Sequence, residues 1–240
     1  MCGRYASSRS DDDLRAEFGA AMAVGAARPP SWNVAPTQQV RAVLERTPRD
    51  APDAAPVREL RSVRWGLVPS WAPDLKIGSR LVNARVETIT EKPAFKTAAV
   101  RRRCLLPADG YYEWGAHPGG GPKTPWFLHA ADGAGVAFAG LYELWPDPAR
   151  DRDDPDRWVW SATVVTTRAG DALGRIHDRT PLIVPESLHD DWLDPSTTSL
   201  VDVRRLLDAI PEPHLVPVEV STAVNRVALD GPDLITPVTR

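Results

Sequence analysis

Several things this sequence has little of narrow its class. Two cysteines among 240 residues cannot build a disulfide framework. No cluster of Cys and His at ligand spacing offers a structural zinc site, so no metal and no cofactor is expected. No run of about 18 apolar residues occurs, which argues against a membrane-spanning helix. The first thirty residues lack the basic, apolar and small-residue order of a signal peptide, and the expected location is the cytoplasm. Lysine is scarce, since arginine supplies 25 of the 29 basic residues. An excess of positive charge is missing too: 29 basic residues face 32 acidic ones, for a formal net charge of −3. That balance excludes a protein that coats nucleic acid through bulk electrostatics, so contact with a polyanion must come from a local groove. There is no internal repeat, and the Gly119-Gly120-Gly121 tract lacks the spacing of a phosphate-binding loop, which leaves it a hairpin loop.

What is present is a core-forming chain, 42% hydrophobic with nine tryptophans. The Asp11-Asp12-Asp13 run reads as a solvated cap on a helix to about Ala21, with Leu14 and Phe18 on its apolar side. Strand patterns follow at Gln39 to Glu45 and Arg58 to Leu67, separated by a Pro, Ala and Asp-rich loop. Short helical pieces are expected between Leu81 and Lys96. Two strands joined around Pro107-Ala108-Asp109-Gly110 are expected from Arg101 to Trp114, with Cys104 buried in the first. Further strands fall at Pro125 to His129, Val136 to Glu143 and Trp158 to Thr166. Helices are expected at Ala169 to Gly174, Glu186 to Leu193 and Ser199 to Ile210, before a tail with one more strand. Strands dominate and no linker interrupts them, so the expected architecture is α+β, a single domain over residues 1–240.

The stretch that carries chemistry is Met1-Cys2-Gly3-Arg4. A small residue after the initiator favours methionine removal, and the mature chain is expected to begin on Cys2 with a free amine and thiol on adjacent carbons. Both groups titrate near neutrality, the amine at about 7.7 to 8.0 and the thiol at about 8.5. An aldehyde can be attacked by such a pair twice, first to an imine and then to a thiazolidine ring. Position alone also permits an incidental cysteine at a frayed terminus.

This stretch is the first of six segments that belong together. They are Cys2-Gly3-Arg4-Tyr5, Asn33-Val34-Ala35-Pro36, the run Trp65 to Trp71, Asn83-Ala84-Arg85-Val86-Glu87-Thr88, Gly110-Tyr111-Tyr112-Glu113-Trp114 and Ile176-His177-Asp178-Arg179-Thr180-Pro181. In this order, over nearly the whole chain, they resemble the motif series of the SOS response-associated peptidase family, which shields abasic sites in single-stranded DNA through a covalent crosslink. The resemblance implies a mainly β, barrel-like core with flanking helices, a basic groove for single-stranded DNA, and Cys2 at its bottom. It implies Cys2 as nucleophile, Asn83 as orienting amide, and Glu113 with His177 as acid/base pair. Arg4 and Arg85 match positions used on phosphates, and Asn33, Pro36, Trp71 and Thr166 match groove-lining positions. Each residue also has a plainer role: Glu113 as a solvated strand residue, His177 as a loop histidine, Asn83 as a turn residue, Trp71 as core. Two other functions stay open, a cysteine peptidase acting on its own Met1 or on other proteins, and a noncatalytic single-stranded DNA binder. A lyase-type reversal of the crosslink would accompany the first reading, with the protein at the nucleoid when bound.

Overall fold

A computed structural model describes residues 2–48, 50–116 and 120–238. Removal of Met1 and the first glycine of the Gly119 tract fall outside them. In chain order the elements are β1 (Tyr5–Ser7), α1 (Asp11–Phe18), β2 (Met22–Val24), β3 (Ser31–Val34), β4 (Gln39–Arg46), β5 (Val57–Trp65) and β6 (Asn83–Arg85). Then come α2 (Lys96–Arg101), β7 (Arg103–Ala108), β8 (Gly110–Gly115), β9 (Thr124–Ala130), β10 (Val136–Pro146) and β11 (Trp158–Arg168). The chain continues through α3 (Asp171–Gly174), β12 (Arg179–Pro181), α4 (His189–Leu193), α5 (Leu200–Ala209) and β13 (Leu215–Glu219).

The strands β5, β4, β7, β10 and β11 pair antiparallel in that order. The ring is closed by a parallel contact from β11 back to β5, Ser161 opposite Arg64 and Ala162 opposite Trp65. The result is a five-stranded barrel within an α+β fold. Side chains alternate across each strand, so one residue points into the barrel and the next points out to the helices. On β7, Cys104 and Leu106 join the inner cluster while Leu105 joins the outer one; on β10, Phe138 and Tyr142 point in while Ala139 and Leu141 point out. Both faces are therefore buried, which explains the nearly continuous apolar runs. A second sheet, in the order β13, β9, β8, β1, β3, sends Tyr5, Val34, Tyr111 and Leu128 into the inner cluster. It lays the N-terminal strand against the barrel interior.

Several expectations change. The helix cap is Ser10, whose side chain accepts from the Asp13 N–H while Asp13 reaches back to the Ser10 backbone, and the helix stops at Phe18 because Gly19 turns left-handed at φ 63°. Asp11 is not a solvated cap either, since it grips the buried Arg41 guanidinium. Asn83–Arg85 is a strand and not a helical piece: its backbone is taken up in parallel by β11, Val164 opposite Asn83 and Thr166 opposite Arg85. The two strands expected on either side of Asp109 are present as β7 and β8, but in different sheets. β7 belongs to the barrel and β8 to the second sheet, with the Asp109 N–H donating to the Ala6 carbonyl at 2.8 Å where the chain crosses.

Gly66 lies at φ 121°, where a Cβ would stand 2.5 Å from the Gly78 carbonyl oxygen. Only glycine lets the two loops touch here. The Trp65 ring, fully buried, donates from Nε1 to the Val82 carbonyl at 3.0 Å and so fixes the chain one residue before Asn83.

Candidate functional site

Cys2 is fully buried in the inner cluster, immediately before β1. Tyr5 and Tyr111 border it, each edge-on to Phe138 with ring centres 5.7 and 6.1 Å apart, so its surroundings are aromatic and stiff. The Asn83 amide, carried on β6, donates from Nδ2 to the Cys2 carbonyl at 2.7 Å. Its other end, Oδ1, is buried without a hydrogen-bond partner among the described residues and so retains an unused acceptor. Glu113 sits on β8 with 4% of its surface exposed. Burial pushes the Cys2 thiol far above the ordinary cysteine range, the Glu113 carboxylate adds to the rise, and the Arg4 backbone N–H works against it. The thiol is therefore held protonated, with the Glu113 carboxylate near enough for its field to act on it. Cys104, the other free cysteine, lies in the same cluster and is likewise raised by burial.

His177 occupies the turn between α3 and β12, following Leu173 and Ile176, which pack on the cluster that holds Cys2. The Arg179 backbone N–H donates to His177 Nδ1 at 3.0 Å. Asp178 Oδ1 also lies 2.9 Å from Nδ1. Nδ1 thus meets a backbone N–H that can only donate and a carboxylate that can only accept, and the ring tautomer decides which of the two it bonds. Thr166, fully buried on β11, receives the Arg179 guanidinium on its carbonyl at 2.6 Å and its hydroxyl at 3.3 Å. The same guanidinium makes a two-pronged pair with Glu87 at 2.5 and 3.0 Å and holds that carboxylate below its usual pKa.

Arg4 and Asn33 face each other. Arg4 donates to Asn33 Oδ1 at 2.6 Å and to the Val224 carbonyl at 2.8 Å. The buried Asn33 amide donates to the carbonyls of Arg226 at 3.1 Å and Leu229 at 2.6 Å. Both residues thus fasten the segment after β13 over the second sheet, helped by Trp114 Nε1 on Asn225 Oδ1 at 2.7 Å. Pro36 is half-buried in the turn from β3 to β4, beside Thr37 at φ 74°. Trp71 is 59% exposed, whereas the next residue, Ala72, is buried and its carbonyl accepts from Trp145 Nε1 at 2.8 Å. Trp71 is therefore a surface indole and not part of the core.

Arg85 is exposed at the end of β6 and lines a cleft of about 640 Å³ with Glu87, Thr88, Arg168, Asp178 and Arg179. The structure thus gathers Cys2, Asn83 and Glu113 at the barrel interior, places Thr166 and Arg85 on neighbouring strands with His177 in the turn before β12, and sets Arg4 and Asn33 under the C-terminal segment. The sequence reading missed Glu87, Arg168 and Arg179. The available signal was an acid in one motif and a base in another, of opposite sign and each beside a residue already singled out.

A cysteine held inside a β-barrel, with an amide on its carbonyl and a carboxylate in its field, defines a thiol site built on the second residue of the chain. The chain belongs to the SOS response associated peptidase (SRAP) family, whose model matches residues 1–227. It is 34% identical over 238 residues to YoqW of Bacillus subtilis, named an abasic site processing protein, covering 98% of this chain and 99% of that one. It is 27% identical over 269 residues to HMCES of Xenopus tropicalis, which carries the same descriptive name, covering 97% of this chain and 77% of that one. A crystal structure of a protein from Bacteroides thetaiotaomicron shares the fold, with a TM-score of 0.80 at 21% identity over 99% of this chain and 100% of that one. A Bordetella bronchiseptica protein matches at a TM-score of 0.70 and 27% identity, over 92% and 100% of the two chains.

Proposed function

We propose that this protein senses and shields abasic sites in DNA, with single-stranded DNA as the partner, by forming a thiazolidine between mature Cys2 and the aldehyde of the opened abasic sugar. The observation that carries the reading is the Asn83 amide on the Cys2 carbonyl at 2.7 Å, which holds the one residue able to offer a 1,2-aminothiol. The names of YoqW and HMCES as abasic site processing proteins support the choice of substrate.

A thiol held protonated by burial supports an order in which the amine reacts first. The amine freed by Met1 removal attacks the aldehyde carbon, and the carbinolamine loses one water to give the imine. The Cys2 sulfur then attacks the imine carbon, its proton passing to Glu113 and on to the ring nitrogen. One water leaves and no electrons are gained or lost. His177 serves as the acid that protonates the departing hydroxyl, and by microscopic reversibility the same group acts when the ring reopens. Trp71 offers a base-stacking face, and such contacts contribute roughly 1 to 3 kcal/mol per base whatever the sequence.

His177→Ala tests the acid/base role. Crosslink formation and transfer to a second abasic strand are both expected to slow, by about 100-fold or more, with little change in the final adduct yield. Wild-type rates in both directions would remove His177 from the chemistry. Release of Met1 by self-cleavage is compatible with the same thiol.

A further inference from the structure

Two buried hydroxyls meet where the second sheet faces the barrel. Tyr111 on β8 and Thr180 on β12 are both buried, and their oxygens lie 2.9 Å apart. Either hydroxyl can donate to the other, and Thr180 Oγ1 has the Pro181 carbonyl as a further acceptor at 3.3 Å. The ends of this bond stand next to the two groups that the proposed chemistry uses for proton transfer. Glu113 lies two residues beyond Tyr111 on β8, and strand alternation puts it on the same face. Thr180 follows Arg179, whose backbone N–H meets His177 Nδ1 at 3.0 Å.

We propose that Tyr111 is a positioning residue for the crosslinking reaction, its bond to Thr180 setting the Glu113 strand and the His177 turn in one frame about Cys2. The inference rests on the function proposed above and adds to it a residue that itself exchanges no proton with the substrate. Burial and the charges of Cys2 and Glu113 all raise the Tyr111 hydroxyl above the ordinary tyrosine range, so it stays protonated and serves as a fixed strut.

Packing alone does not call for these hydroxyls. The Tyr111 ring lies edge-on to Phe138, and a phenylalanine would fill the same space. A buried hydroxyl left alone is costly, while a paired one adds little stability over apolar groups of the same shape. What the pair adds is direction, because a hydrogen bond holds only over a narrow range of distance and angle, whereas apolar contacts let surfaces slide. Direction matters here because the site is divided between two sheets. The second sheet carries Glu113 and the strand that follows Cys2, with Tyr5 opposite Tyr111 and the Tyr112 N–H donating to the Arg4 carbonyl at 2.9 Å. The barrel sheet carries Asn83 through β11 and, on β12, the residues that follow His177. A slip of one sheet against the other would part these groups, and a misplacement of about 1 Å can slow a reaction roughly 100-fold.

The test is single-turnover crosslinking of the purified protein to a saturating single-stranded oligonucleotide that bears one abasic site. Affinity for an undamaged oligonucleotide of the same length and the melting temperature are measured beside it. Tyr111→Phe and Thr180→Val each keep the shape of the side chain and remove one hydroxyl. Each is expected to slow crosslinking roughly 10- to 100-fold, with affinity and melting temperature near the wild-type values. The double variant is expected to be no slower than either single one, since the same bond is lost in all three. Thr180→Ser returns the hydroxyl and is expected to restore most of the rate. A wild-type rate in Thr180→Val overturns the proposal. So does a slowing that Thr180→Ser shares, or one matched by an equal loss of affinity, because either marks a general structural loss. If Tyr111→Phe does not fold, the contrast between Thr180→Val and Thr180→Ser decides. A wild-type protein that crosslinks while both variants match it sinks only this inference; a wild-type protein that forms no adduct sinks the proposed function and the inference with it.

Discussion

At the scale of single residues, the Cys2 thiol is enclosed by aromatic rings and faces a carboxylate, and both surroundings favour its protonated form. On the proposed chemistry the first bond must then come from nitrogen, so the crosslinking rate is expected to follow the amine. It should rise with pH and level off above about pH 8, where an ordinary α-amine is neutral. A pH–rate profile checks this; a rate still climbing beyond pH 9 would assign the limiting step to the thiol instead. Asn83 acts through one hydrogen bond to the Cys2 carbonyl, and such a bond contributes about 1 kcal/mol. Asn83→Ala is accordingly expected to slow crosslinking by roughly tenfold or less, far milder than His177→Ala. The reverse order of severity would mean that Asn83 holds the sugar as well as the protein. These residues were legible in the sequence as chemical types, because an amide, a carboxylate and an imidazole are recognisable from their motifs. Their partners were not: nothing local in Arg4 or Asn33 announces that each spends its polar atoms on the chain near Val224, some 190 residues or more away.

At the scale of elements, the segment after β13 is held by a few side chains instead of by strand pairing with β3. Asn33 donates to the Arg226 and Leu229 carbonyls and accepts from Arg4. Asn33→Ala leaves buried polar groups unpaired, which costs about 2 kcal/mol. The expected readout is faster amide exchange across residues 222 to 230 with the barrel strands unaffected; a uniform change over the whole chain would contradict this local role. Another element-scale prediction concerns pH. His189 at the start of α4 stacks on Phe18, ring centres 5.2 Å apart, and burial lowers its pKa below the ordinary 6.5. Its stabilising contribution is therefore complete above about pH 6.5 and lost as the pH falls toward the depressed folded value. The melting temperature should drop over that interval, and His189→Phe should flatten the step. An equal drop in the variant would assign it to other groups. Long strands such as Gln39–Arg46 and the helix Leu200–Ala209 were visible from their periodicity. The three-residue strand Asn83–Arg85 was not, since a piece so short takes its conformation from β11 and not from its own side chains.

At the scale of the molecule, the barrel closes through a two-residue parallel contact between β11 and β5, a long-range pairing that no local pattern encodes. Closure explains why a 240-residue chain with only short helices buries Trp65, Tyr111 and Phe138 completely or nearly so, and it supplies the walls around Cys2. The family resemblance supplied the barrel in advance; composition and alternation by themselves supplied only α+β. On the proposed function, local charge and not the net −3 governs the encounter with DNA, and Arg85, Arg168 and Arg179 line one cleft. The covalent bond between Cys2 and an abasic site is the central claim, and intact-mass spectrometry of the purified protein tests it most directly. After incubation with a single-stranded oligonucleotide bearing one abasic site, a species is predicted whose mass is that of the protein without Met1, plus the oligonucleotide, less one water. Cys2→Ser should bind the same oligonucleotide without forming it. A spectrum that shows only the unmodified protein after prolonged incubation, or an adduct that survives in Cys2→Ser, would contradict the claim.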